Sequence, residues 1–232
     1  MTTGLNSNHL LYLMQGAVWT IGLSLMAFVG GGVFGLIVAL CRISPSRPVR
    51  IVTSSYVQLI QGTPLLVILF MTFFGLPALG FKISPLSAAG VSLTIFVSAY
   101  LGEIWRGCIQ SVPRAQWEAA ECLALTRWQR MRMVVLPQAI RIATPPTVGF
   151  MVQIVKNTSL ASVVGFVELA RSGQIINNSV FEPFLVYLVI AAVYFGLCYP
   201  LSRWSQRLER RAMPVSRTVA AAIQQQASLS LT

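Results

Sequence analysis

The sequence predicts an all-α protein, a polytopic membrane helix bundle of about five transmembrane helices with a helical hairpin held outside the bilayer. Three observations predict it. Hydrophobic residues make up 55% of the 232-residue chain and charged residues only 10%, against about 25% charged in a typical soluble domain. Several runs are free of charge and long enough to cross roughly 30 Å of hydrocarbon as helices. Third, much of the remaining charge is gathered in one stretch, 111–141, which reads SVPRAQWEAAECLALTRWQRMRMVVLPQAIR.

The elements follow in chain order. Residues 1–15 form a polar arm carrying the single histidine, His9, expected to be solvated. No basic residue precedes the apolar run, so a cleaved signal peptide is not expected. Residues 17–41 carry no charge and make the first span. Within it Gly31 and Gly35 are four apart, a small-xxx-small spacing that lets two helix backbones approach closely. Residues 42–50 are a short basic loop with Pro45 and Pro48. Residues 51–81 are again uncharged but longer than one span needs. Gln61, Thr63 and Pro64 predict an interruption there, since proline leaves a backbone carbonyl without its donor. A third span covers 83–102 and closes on Glu103 and Arg106, spaced for an intrahelical pair or a gate contact.

The charged stretch parses as two short helices. Pro113 suits a first helical turn, Thr126 and Gln129 have the spacing of a capping box, and Leu136-Pro137 predicts a break. A fourth span then starts near Pro137, with Pro145-Pro146 inside it and Lys156 toward its far end. The double proline predicts a discontinuous helix, of the kind tolerated where backbone faces protein or a water-filled path. Residues 165–182 read as a loop or short surface helix. The fifth span covers 183–202, followed by the interfacial Trp204 and the basic run Arg203, Arg207, Arg210 and Arg211. Residues 212–232, rich in Ala, Gln and Ser, have too little apolar surface to pack and are expected to be a disordered tail.

Charge sets the expected orientation. With five spans, the segments 42–50, 103–141 and 203–217 share one side and hold fourteen arginines. The other side has only Lys82, Lys156 and Arg171. The positive-inside rule then puts the N-terminus outside, the C-terminus in the cytoplasm, and the hairpin inside. Other chemistry is not indicated. The four cysteines are scattered without a CxxC pair, the six acids are all glutamates, and no GxxxxGK[ST] phosphate loop occurs. If ATP drives this protein, another chain binds it.

Glu118-Ala119-Ala120, the turn after them and the Leu136-Pro137 ending resemble the EAA loop of permease subunits in type I ABC importers, the cytoplasmic segment that docks on the ATPase. The runs YLGEIWRGCIQSV (100–112), GTPLL (62–66) and KNTSL (156–160) are similar to the polar amino-acid branch of that family. The similarity extends from about Gly16 to Arg211, which bounds a permease domain at 16–211 with its EAA loop at 111–141. Similar proteins usually have glycine where this chain has Ala115 and Ala124, and arginine where it has Gln61. An alanine held in a left-handed turn costs roughly 1 kcal/mol more than glycine.

The resemblance implies half of an alternating-access path for amino-acid uptake across a bacterial inner membrane, embedded in lipid. Implied partners are ABC ATPase subunits carrying ATP and Mg, a second permease copy or paralogue, a periplasmic amino-acid-binding protein and the amino acid itself. No nucleic acid and no cofactor in this chain are implied. The ATPase-coupling residues would be Glu118, Ala119, Ala120 and Ala124. Substrate-path candidates are Gln61 and Thr63 across from Lys156, Asn157, Thr158 and Ser159, which offer an amide, hydroxyls and unpaired carbonyls to a zwitterion. Glu103 and Arg106 are the gate candidates. An ATP-independent secondary transporter or channel would also suit broken helices, but gives no reason for a long hairpin. A membrane enzyme finds no nucleophile beside a base.

Overall fold

The first helix of the computed structural model, which describes residues 6–212, is longer than one span. Helix α1 (Ser7–Arg42) has 36 residues, about 54 Å at 1.5 Å per residue. Asn6 caps it, and the His9 side chain accepts from the Asn6 backbone N–H to complete a capping box. The expected N-terminal arm is therefore helix from Ser7 onward. Leu13 is fully buried among Leu169, Ile176 and Val186, and that packing carries the helix beyond the bilayer-length run. The small-residue spacing works as expected. A Cβ on Gly31 would fall 2.3 Å from Val97 Cγ1, and one on Gly35 would fall 3.1 Å from Leu101 Cβ and 3.2 Å from the Ser98 carbonyl.

Helix α2 (Arg47–Gln61) starts with Pro48 in its first turn and ends at Gly62. The chain turns by 101° before α3 (Leu65–Phe70), which runs through a π-helical turn (Met71–Gly75) into the short α4 (Leu76–Ala78). The interruption expected at Gly62-Thr63-Pro64 is thus present, with Pro64 as the N-cap of α3. Helix α5 (Pro85–Gln110) is the central element. Its Leu93, Phe96, Val97 and Leu101 meet Leu23 and Ala27 of α1, with Leu65 and Leu69 of α3 in the same core. Tyr56 of α2 joins α5 through hydrogen bonds to Ser98 Oγ (2.7 Å) and the Ile95 carbonyl (3.2 Å).

Helix α6 (Arg114–Cys122) is followed by a tight turn and α7 (Arg127–Gln129). Pro113 is the N-cap of α6, one position earlier than expected. Leu136-Pro137 does not break the chain. A π-helical segment (Arg130–Val135) leads directly into α8 (Leu136–Asn157). The π turn shifts the hydrogen-bond register, so Pro137 falls in the first turn of α8, where a missing N–H is tolerated.

Pro145-Pro146 do not interrupt α8 either, contrary to expectation. The carbonyls that lose donors belong to Arg141 and Ile142, both exposed residues. Around the prolines, the Thr147 hydroxyl bonds the Ala143 carbonyl and the Ser205 hydroxyl bonds the Pro145 carbonyl at 3.0 Å. Local and interhelical hydroxyls of this kind let membrane helices hold proline. The break lies further on. A 3-10 helix (Thr158–Val164) ends at Gly165 in the left-handed conformation, and the path bends 51° into α9 (Leu169–Val180).

Helix α9 is not a surface element. Leu169, Ser172, Gly173 and Ile176 are buried against α1 and α10 (Pro183–Ala212). The last helix continues past the expected end at Ser202, through Pro200 and the basic run. The tail expected at 212–232 lies outside the described residues, apart from Ala212, which is the last residue of α10. By length and composition, three helices can cross a membrane singly, and five spans result when each bent pair counts as one. Many large apolar side chains on α1 and α10, such as Val18, Phe34, Phe195 and Leu188, face outward, as a lipid-facing surface requires.

Candidate functional site

The hairpin is an exposed polar element of the fold, and its joint has a defined geometry. Helix α6 ends in a Schellman motif, with Leu125 N–H to the Ala120 carbonyl (3.3 Å) and Ala124 N–H to the Glu121 carbonyl (2.9 Å). The residue taking the left-handed conformation is Ala124, at φ 55°, the position where glycine is usual. Ala115 lies in the first turn of α6 with ordinary helical backbone. Across the joint, the Thr126 hydroxyl accepts from Gln129 N–H while the Gln129 side chain accepts from Thr126 N–H. Arg130 reaches back to Glu121 at 3.0 Å.

The two faces of α6 differ. Ala120 is buried and supports the hairpin from inside, so it is not free to meet a neighbour. Glu118 and Ala119 are exposed, and Glu118 makes no ion pair among the described residues. Beneath the hairpin, Ile109 and Val112 pack with Val135 and Ala139, and Trp117 and Met131 close over them. This satellite core fixes the hairpin to the ends of α5 and α8.

Glu103 and Arg106 form the expected intrahelical pair, and a third member joins them. Glu103 bonds Arg106 through both carboxylate oxygens and also accepts from Arg42 Nη2 at 3.0 Å. Arg42 ends α1, so the carboxylate ties the ends of two spans. Partly buried charges are costly unless paired, and here one acid serves two guanidiniums.

The substrate-path candidates are brought only partly together. The 3-10 helix packs against α3, so Asn157 lines a small cavity with Leu65, Leu69 and Ser92, next to the break in the second span. Thr158 is fully buried and its hydroxyl bonds the Val155 carbonyl at 2.7 Å; Ser159 likewise bonds the Lys156 carbonyl. Both hydroxyls bond carbonyls at a helix end, Thr158 from a buried position and Ser159 from a partly exposed one. Thr63 bonds the Leu59 carbonyl, while Gln61 and Lys156 are exposed. Alongside, Tyr100 stacks on Phe150 at 5.4 Å and Trp105 Nε1 donates to Thr147 at 2.9 Å, holding α5 to α8.

One cluster was missed altogether. Glu168 is fully buried and caps α9, accepting from the backbone N–H groups of Ala170 and Arg171 at 2.9 Å each. It also accepts from Tyr194 at 2.9 Å and from Thr20 at 3.4 Å, and Thr20 in turn accepts from Leu169 N–H. The signal available in the sequence was an acid set between apolar residues, Val167-Glu168-Leu169-Ala170, which at membrane depth needs named partners.

An apolar bundle of bent spans, with an exposed hairpin continuous with one of them, has the architecture of an integral-membrane protein. The chain belongs to the family described as the binding-protein-dependent transport system inner membrane component, whose model matches residues 31–214. It is 40% identical over 200 residues to the L-cystine transport system permease protein TcyB of Bacillus subtilis (strain 168), covering 86% of each chain. It is 35% identical over 200 residues to the probable amino-acid ABC transporter permease protein YckA of the same organism, covering 86% of this chain and 88% of that one. Its fold matches a chain of the crystal structure of an amino acid ABC transporter with histidines, with a TM-score of 0.84 and 36% identity over 88% of this chain and 95% of that one. It is a permease subunit of an ABC transport system.

Proposed function

We propose that the chain is the transmembrane permease of an ATP-driven amino-acid uptake system in a bacterial inner membrane. It forms half of an alternating-access path with a second copy or a paralogue. A separate ATPase binds ATP and Mg, and a periplasmic binding protein delivers the amino acid. The substrate class follows from the relatives, whose names are those of amino-acid and cystine permeases. The fourteen arginines on one side support an N-terminus outside and a cytoplasmic C-terminus and hairpin.

The observation that carries the coupling role is the exposed, unpaired Glu118-Ala119 face of α6, backed by a buried satellite core and a capped joint. A solvated helix needs no such support. The hairpin joins α8 without a break, so a push on α6 reaches the span itself. Asn157 and Lys156, at the far end of that span, with Gln61 and Thr63 at the bend in the second, are the substrate-side positions. Thr158 and Ser159 hold the helix end there. Glu103 with Arg106 and Arg42 forms the inner gate.

Glu118→Lys is expected to reduce co-purification of the ATPase subunit at least tenfold while membrane insertion stays normal. Unchanged capture of the ATPase by this variant would overturn the coupling role.

A further inference from the structure

Between the α1–α2 loop and the hairpin lies a pocket of ≈ 620 Å³ that holds more positive charge than the Arg42–Glu103 contact accounts for. Four arginines line it, Arg42, Arg50, Arg127 and Arg130, and among the described residues no carboxylate does. Trp117, Ile109 and Met131 supply an apolar wall. The cations come from α1, α2 and the continuous helix that begins at Arg127, so the fold, not a local charge run, gathers them.

Their partners do not exhaust them. Arg42 shares Glu103 with Arg106, Arg130 meets Glu121, and Arg50 donates only to the backbone carbonyls of Ser44 and Pro45. Arg127 makes no ion pair among the described residues. The side chains of Arg42 and Arg130 are only 17% and 15% exposed, and the Nε of each is buried without a hydrogen-bond partner. Buried donors on a fixed cation are satisfied in nearly all native structures by some acceptor.

We propose that this pocket binds the phosphate of an anionic phospholipid headgroup, with the glycerol and upper acyl chain against Trp117, Ile109 and Met131. Guanidiniums suit phosphate because their planar forks donate in pairs. The volume is in the range of small-molecule sites. Its position favours lipid over other phosphates: Arg42 ends α1 and Ile109 lies in the last turn of α5, so the pocket opens where spans leave the hydrocarbon. Basic pockets between spans at that level hold anionic headgroups, and tryptophan is enriched there. An acidic protein surface or free phosphate would meet the arginines but leave the apolar wall uncovered.

The test uses the full-length chain purified in detergent, given equimolar phosphatidylglycerol and phosphatidylcholine of identical acyl chains, with bound lipid read by native mass spectrometry. The chain is expected to retain phosphatidylglycerol preferentially. The double variant Arg50→Gln/Arg127→Gln, at two exposed positions, is expected to lose about 25-fold of that preference, about fivefold per charge removed near a membrane surface. Arg114→Gln, on the exposed face of α6, keeps it. Equal retention of the two lipids, or undiminished preference in the double variant, overturns the proposal. So does displacement of the lipid by millimolar inorganic phosphate, which assigns the pocket to free phosphate. Loss of ATPase co-purification in the double variant with lipid preference intact assigns it to a protein surface and also overturns the proposal.

Discussion

Replacing Glu168 tests a buried carboxylate that joins three helices. The carboxylate accepts four hydrogen bonds: two from the first turn of α9, one from Tyr194 of α10 and one, at 3.4 Å, from Thr20 of α1. Glu168→Ala removes every acceptor at once and leaves the α9 amides and the Tyr194 hydroxyl unsatisfied in a site without water access. Loss of an N-cap costs about 1 kcal/mol, and each buried donor left alone costs about 1–3 kcal/mol. Removing a desolvated charge offsets part of this, so a net loss of about 3 kcal/mol is expected. Glu168→Gln keeps one oxygen but sets an amide N–H₂ against an N–H donor, and should cost roughly half as much. The assay is detergent unfolding followed by tryptophan fluorescence, because Trp19 packs edge-on against Phe166, ring centroids 5.7 Å apart, two residues from the site. Hydrogen exchange of residues 166–176 should rise in the same order. If Glu168→Ala unfolds within about 0.5 kcal/mol of the parent, the scale of an ordinary surface substitution, the cluster is not holding α9 and the reasoning fails.

Two further predictions concern the hairpin and the far end of α8. Ala124→Gly should stabilise the joint by about 0.5–1 kcal/mol, because the left-handed conformation strains an alanine more than glycine loses in chain entropy; slower amide exchange at Leu123–Leu125 is the measurement, and faster exchange refutes it. Asn157→Ala is expected to impair amino-acid uptake severalfold with ATPase co-purification intact, and normal uptake kinetics would remove this residue from the path.

What was legible in the sequence was set by local chemistry. Charge-free runs gave the spans, because a helix in hydrocarbon needs only an apolar surface of sufficient length. The Gly31/Gly35 contact with α5 and the Thr126/Gln129 box each need only residues one turn apart. The interruption at Gly62-Thr63-Pro64 was legible for the same reason. Pro137 and Pro145-Pro146 misled because a local rule counts the hydrogen bond lost and not the one supplied from elsewhere. Ser205, 60 residues away, and a shift into π register are tertiary and backbone answers that no short window contains. The partners of Glu168 were out of reach in the same way, with Thr20 148 residues before it and Tyr194 26 after it. Arg42 meets Glu103 across 61 residues. Thr158 and Ser159 each bond the carbonyl three residues back, a local contact that hydroxyls at helix ends commonly make.

The continuity that the prolines did not break has a mechanical consequence. Residues 127–157 are helical throughout, about 46 Å at 1.5 Å per residue. Two separate helices with a flexible joint at Pro137 would absorb a displacement of the hairpin by bending. One helix transmits it, and the satellite core of Ile109, Val112, Val135 and Ala139 makes α5 move with it. On the proposed reading, force that passes the Ala124 turn and reaches Arg127 arrives at Asn157 with little loss, and the next compliant points are the 51° bend after Val164 and Gly165 with its left-handed backbone. The bend lies beside Glu168, whose four hydrogen bonds hold α9 to α1 and α10. On the same reading, a rigid lever on one side of the bend and a pinned helix on the other would confine flexing to residues 165–168. The π turn thus preserves a lever where the sequence pattern predicted a joint.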